Sequence, residues 1–123
     1  MTLEKNKKIL VVEDDPDIRV MMEYILKDDY DVVLCEDGLS GLNSVRSERP
    51  DLILLDIYMP GISGLEVLRT VRAEPETANI PIILVTAGAL KDEVSEGCVL
   101  GSNDCIFKPF DPEELMKRIE KLI

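Results

Sequence analysis

The sequence contains no histidine, and that gap removes serine–histidine and cysteine–histidine routes to nucleophilic catalysis. Any chemistry here must run on carboxylates, hydroxyls and lysine. There is no cluster of arginine or lysine, and 14 basic residues stand against 25 acidic ones, for a net charge of −11. Nucleic-acid backbones are held chiefly by basic side chains, so direct nucleic-acid binding is not expected. Long apolar runs are also missing. The best, such as residues 80–85 or 52–55, fall far short of the roughly 20 residues that span a bilayer, so no membrane partner is expected. No apolar leader follows the polar residues 1–8, which predicts a cytoplasmic location. The cysteines, Cys35, Cys98 and Cys105, are odd in number, widely spaced and without histidine company. They read as reduced core fillers rather than a zinc site or a disulfide frame.

What is present suits one compact unit. A chain of 123 residues buries a single core, and 46% apolar with 32% charged residues is the balance of a globular protein. The expected organisation is one domain over residues 1–123, with its core at about 8–123 and no output domain in this chain. Five short runs rich in β-branched residues read as strands: Lys8–Val12, Asp31–Cys35, Leu52–Leu55, Ile82–Val85 and Cys105–Phe107. Their near-continuous hydrophobicity, rather than alternation, predicts a parallel sheet covered on both faces.

Helical patterns fill the gaps. Asp15-Pro16 supplies a cap and a first-turn proline before Ile18, Met21, Met22, Ile25 and Leu26 at helical spacing, a one-sided helix with Met21 and Met22 expected as core filler. Asp37 caps a weaker helix with Leu39, Leu42 and Val45 expected inward, ended by Pro50. Ser63-Gly64-Leu65-Glu66 reads as a capping box before Leu65, Leu68 and Val71. A fourth helix at about residues 91–100 is the poorest, because Ser95 and Gly97 lower its propensity. A fifth starts at Asp111-Pro112 and turns Leu115, Ile119 and Leu122 inward. Strand–helix alternation repeated in this way predicts a three-layer α/β sandwich.

In such a sheet ligands bind beyond the carboxyl ends of the strands. At those ends the sequence places Glu13-Asp14-Asp15, Asp56, Thr86-Ala87 and Lys108-Pro109. If the first and third strands are neighbours, Asp14 and Asp56 stand roughly 5 Å apart. Two carboxylates that close repel by about 3 kcal/mol at an effective dielectric of 20. A hard divalent cation such as Mg2+ suits this all-oxygen set. With Glu13, Asp14 and Asp56 opposed by the cation and Lys108, the pocket is neutral and can accept a phosphoryl group. Thr86 would donate to a phosphoryl oxygen, small Ala87 would leave the approach open, and Asp56 is the obvious nucleophile. Each feature has a blander reading: acidic strand ends are often a solvated rim, Asp15 reads as a helix cap, and a single lysine is usually surface. Convergence is what favours a site.

Four segments, ILVVEDDPDIR (9–19), PDLILLDIYMPGISGLEVL (50–68), PIILVTAG (81–88) and CIFKPF (105–110), closely resemble the receiver domain of bacterial response regulators, in order and over the whole chain. The resemblance implies a flavodoxin-like fold with a five-stranded parallel sheet in order 2-1-3-4-5 and five helices. It also implies a two-component signalling role. Asp56 would be the phosphoacceptor, served by a sensor histidine kinase or phosphotransfer protein, with a homodimer allowed. Asp14 would ligate Mg2+ directly, Glu13 mainly through water and Tyr58 through its backbone carbonyl. Thr86 and Lys108 would bind the phosphoryl oxygens, with a cis Lys108–Pro109 peptide. The output would pass through the face of the fourth helix, fifth strand and fifth helix. One departure stands out: family members usually carry an aromatic residue where this chain has Cys105. That small thiol motivates an alternative, an interaction module with a vestigial pocket. A second alternative, an aspartyl-phosphate phosphohydrolase, would want an aspartate where Tyr58 stands.

Overall fold

The computed structural model describes residues 6–87 and 101–123. Five strands, β1 (Lys8–Val12), β2 (Asp31–Cys35), β3 (Leu52–Leu55), β4 (Ile82–Ala87) and β5 (Asp104–Lys108), form one parallel sheet. The strand order is β2-β1-β3-β4-β5, the order the resemblance implies. Register is continuous at the centre, with Val12 beside both Cys35 and Leu55, and Leu55 beside Leu84.

Helices α1 (Pro16–Leu26), α2 (Gly38–Glu48) and α3 (Gly64–Ala73), and a terminal helix Pro112–Leu122, connect or follow the strands. The predicted fourth helix, about residues 91–100, and Cys98 lie outside the described residues. Each described helix begins as its sequence suggests, with Asp15, Asp37, Ser63 and Asp111 side chains accepting from backbone N–H groups two or three residues on. Such caps satisfy donors that the first helical turn leaves without partners.

Period-two alternation along the strands divides the core between two faces. Leu10, Val12, Ile53, Leu55 and Leu84 pack with Leu42 and Val45 of α2 and with Val67, Leu68 and Val71 of α3. Ile9, Val11, Leu52, Leu54, Ile83 and Val85 pack with Met22 and Leu26 of α1 and with Leu115 and Ile119 of the terminal helix. Burying one such side chain is worth about 1.5–3 kcal/mol, so neither face can be stripped without unfolding the sheet.

Two expected core positions are corrected. Met21 is 41% exposed and Leu39 is 59% exposed. Helical geometry explains both, because each lies about a third of a turn from the middle of its helix's buried stripe. In α2 the buried positions are instead Gly38, Gly41, Leu42 and Val45. A Cβ on Gly41 would sit 3.0 Å from both γ-carbons of Val12, so glycine there lets α2 lie close on β1.

Candidate functional site

The sheet topology brings the polar strand ends together. The β1–β3 ladder runs one step past the strands, with the Asp56 N–H donating to the Val12 carbonyl at 3.0 Å. On the other side of β1, the Glu13 N–H donates to the Cys35 carbonyl at 3.0 Å. Glu13 and Asp56 therefore leave the sheet side by side, held by backbone bonds rather than by loop preference. Glu13, Asp56 and Thr86 are 1%, 5% and 0% exposed, whereas Asp14 is exposed.

One oxygen from each of Glu13, Asp14 and Asp56 lies within 4.8 Å of the others, a set able to hold a metal ion. At that spacing each charged pair costs about 3 kcal/mol, which a divalent cation would relieve. The donor set is all oxygen and only partly supplied by the protein, and in that respect it fits Mg2+. Lys108 supplies the resident positive charge. Its Nζ lies 2.5 Å from Glu13 Oε1 and 3.4 Å from Asp56 Oδ2.

The electrostatics follow from burial. Desolvation pushes the Glu13 carboxyl up to about 7, with Lys108 opposing and Asp56 adding to the rise. For Lys108, burial pulls downward, but contact with Glu13 and the Asp56 charge outweigh it and hold the ammonium above its ordinary value. Three carboxyl groups, Glu13, Asp14 and Asp56, face the single Lys108 ammonium, so the pocket is short of positive charge.

Thr86 stands on β4 one residue beyond the level of Asp56, since Leu84 pairs with Leu55. Its Oγ1 is buried and has no hydrogen-bond partner among the described residues. A buried hydroxyl left so costs about 1–3 kcal/mol, and an incoming acceptor oxygen would recover that. Ala87, exposed at the end of β4, pairs in register with Lys108. The Lys108–Pro109 peptide is cis. Tyr58 follows the cluster, its N–H donating to Asp56 Oδ1 at 3.3 Å. Cys105 is partly buried and packs against the core on the α2 and α3 side, while Phe107 is 45% exposed.

Two supporting residues escaped the sequence reading. Gly64 opens α3 with its N–H donating to the Ile57 carbonyl, and a Cβ there would lie 2.0 Å from the Asp56 carbonyl oxygen. The loop after Asp56 folds back only because Gly64 has no side chain. Its signal was the glycine directly after the Ser63 cap. Arg19, on the first turns of α1, donates to the carbonyls of Glu13 and Asp14 at 2.8 and 3.0 Å. No spacing rule marks such a contact in advance.

A family model described as the response regulator receiver domain matches residues 9–120. The DNA-binding response regulator MtrA of Mycolicibacterium smegmatis is 39% identical over 114 residues, which are 92% of this chain and 49% of that protein. The chain thus spans about half the length of that curated relative. Among solved structures, the chemotaxis response regulator CheY4 of Vibrio cholerae superposes with a TM-score of 0.90 at 31% identity, covering 97% of this chain and 100% of that one. The receiver domain of sensor histidine kinase PA1611 from Pseudomonas aeruginosa, with magnesium coordinated in its active site cleft, gives a TM-score of 0.88 at 33% identity. That likeness covers 95% of this chain and 97% of the other.

Proposed function

The chain belongs to the response regulator receiver domain family, and from that premise we propose that it is a phosphorylation-operated switch with Asp56 as its phosphoacceptor. The donor is the phosphohistidine of a sensor histidine kinase or phosphotransfer protein. In the step, an Asp56 carboxylate oxygen bonds to phosphorus as the phosphorus–nitrogen bond breaks. The bonding pair stays on the imidazole, which takes up a proton.

The observation that carries this reading is the half-neutralised pocket itself: buried Asp56 beside Glu13 and Asp14, with the Lys108 ammonium 3.4 Å from Asp56 Oδ2. Lys108 can turn from Asp56 to a phosphoryl oxygen with little motion. The Thr86 hydroxyl, buried and without an acceptor among the described residues, supports a second contact, and Ala87 leaves the approach open. Asp14, Asp56 and the Tyr58 carbonyl are the groups we assign to hold Mg2+, with Glu13 acting mainly through water. When bound, the cation supplies charge neutralisation at the phosphoryl oxygens.

The domain acts as a phosphoacceptor that assists its own phosphorylation, not as an enzyme turning over a separate substrate. We take residues 8–123 as its core and place its work in the cytoplasm; no helix among the described residues is long and apolar enough to cross a membrane. Its output passes through the face that β5 and the terminal helix help to build, toward a protein partner or a second copy. With a net charge of −11 this domain is not itself a nucleic-acid binder.

Incubation with Mg2+ and a small acyl phosphate, read by intact mass, is expected to add one phosphoryl group. An Asp56→Asn variant is expected to add none. An unchanged mass in the wild type, or equal labelling of the variant, contradicts the reading.

A further inference from the structure

Arg19 lies five and six residues after the acidic pair, yet its guanidinium turns back on them. One nitrogen, Nη1, donates to the Glu13 carbonyl at 2.8 Å and to the Asp14 carbonyl at 3.0 Å. These two carbonyls belong to consecutive peptide groups, so a single nitrogen fixes both planes of the turn that carries the carboxylates. The helix anchors the clamp in turn, because the Arg19 N–H donates to the Asp15 carbonyl at 3.0 Å. On the same turn the Asp15 N–H donates to Glu13 Oε2 at 3.2 Å. The turn is thereby tied at backbone and side chain together.

The need for such a tie differs between the two acids. Glu13 is buried, and Lys108 and the Asp15 N–H already hold its carboxylate. Asp14 is exposed, and among the described residues no hydrogen bond reaches its carboxylate. What places it is therefore the backbone beneath it rather than a side-chain partner, and that backbone is what Arg19 grips. We infer that Arg19 is a positioning residue for the cation site, holding the Glu13–Asp14 turn so that the Asp14 carboxylate faces Asp56. The inference rests on the proposed Mg2+-dependent function, but it concerns cation affinity and not the phosphoryl step.

Charge and position make opposite demands at this residue, and that opposition supplies the test. Removing a positive charge from beside an acidic cluster should, by Coulomb attraction alone, tighten cation binding. Losing a support behind a ligand typically weakens metal affinity by 10-fold or more. Mg2+ alone is titrated calorimetrically into the unphosphorylated full chain, as wild type, Arg19→Ala and Arg19→Lys. Arg19→Ala is expected to bind about tenfold more weakly. Arg19→Lys, which keeps the charge but lacks the planar fork, is expected to fall between the two.

Equal or tighter binding by Arg19→Ala overturns the inference. If Arg19→Ala does not fold, Arg19→Lys decides: weaker binding than wild type supports the positioning role, and wild-type affinity overturns it. A wild-type chain that takes a phosphoryl group and binds Mg2+, alongside an unaffected variant, removes this inference and leaves the function standing. A wild-type chain that binds no Mg2+ removes both.

Discussion

At the scale of single residues the site is a competition between burial and charge. Glu13 shows it most clearly, because desolvation lifts its carboxyl from the ordinary 4.5 to about 7. A folded-state pKa above the unfolded value contributes stability that is complete below about pH 4.5 and is lost as pH rises through about 7. Metal-free protein is therefore expected to lose thermal stability across that window, and Glu13→Gln to lose less. Since an ionised Glu13 adds negative charge beside the cation site, Mg2+ affinity is expected to climb over the same range. Thermal melts and calorimetry at pH 5, 6 and 7.5 check both; a wild type whose melting profile matches that of Glu13→Gln would contradict the first. The acids, threonine and lysine were legible from the sequence as polar residues directly after apolar runs. The Lys108 contact with Glu13 was not, because a long side chain chooses among several carboxylates only once the pocket is built.

At the scale of elements, strands and N-terminal caps are legible in the sequence, though β4 and β5 extend one or two residues beyond their apolar runs, and helix faces are less so. Strands were easy because a run such as Leu52–Leu55 is buried on both sides and needs no choice of face. Helix α2 was harder: small glycines mark its sheet-facing side, and a hydrophobic count overlooks them in favour of exposed Leu39. The correction can be measured. Leu39→Ser is expected to change stability by no more than about 0.5 kcal/mol, whereas Leu42→Ala costs about 2 kcal/mol or more in urea unfolding. Loops hide more still. Gly64→Ala would set a Cβ 2.0 Å from the Asp56 carbonyl, and relieving that contact must move either α3 or the phosphoacceptor. A loss of about 3 kcal/mol is expected, with slower phosphorylation in the fraction that folds. Wild-type stability and wild-type rate together would show that the loop does not need its glycine.

At the scale of the whole molecule, the sheet works as a rigid carrier between two apolar layers. Its order sets β1, β3 and β4 side by side, so residues far apart in sequence reach one edge. The layered parallel sheet follows from the repeated strand–helix alternation, and the strand order from the resemblance alone. The predicted fourth helix falls outside the described residues, and Cys105 occupies the position where the resemblance implies an aromatic. If phosphate at Asp56 draws Thr86 inward, the strand paired with β4 must respond, because Thr86 and Phe107 are register partners. Amide exchange in β5, Asp104–Lys108, is accordingly expected to change on phosphorylation. Identical exchange in both states would leave the pocket intact but separate it from any output through this edge.

We propose that Asp56 accepts a phosphoryl group within one cluster of Asp14, Thr86 and Lys108. The most direct measurement is a crystal structure of the chain with Mg2+ and beryllium trifluoride, a phosphoryl mimic. Beryllium is expected to be bonded to an Asp56 carboxylate oxygen, with Mg2+ on Asp14, Asp56 and the Tyr58 carbonyl, and fluorides met by Thr86 Oγ1 and Lys108 Nζ. A mimic bound at another residue, or Mg2+ held away from Asp14 and Asp56, would contradict it.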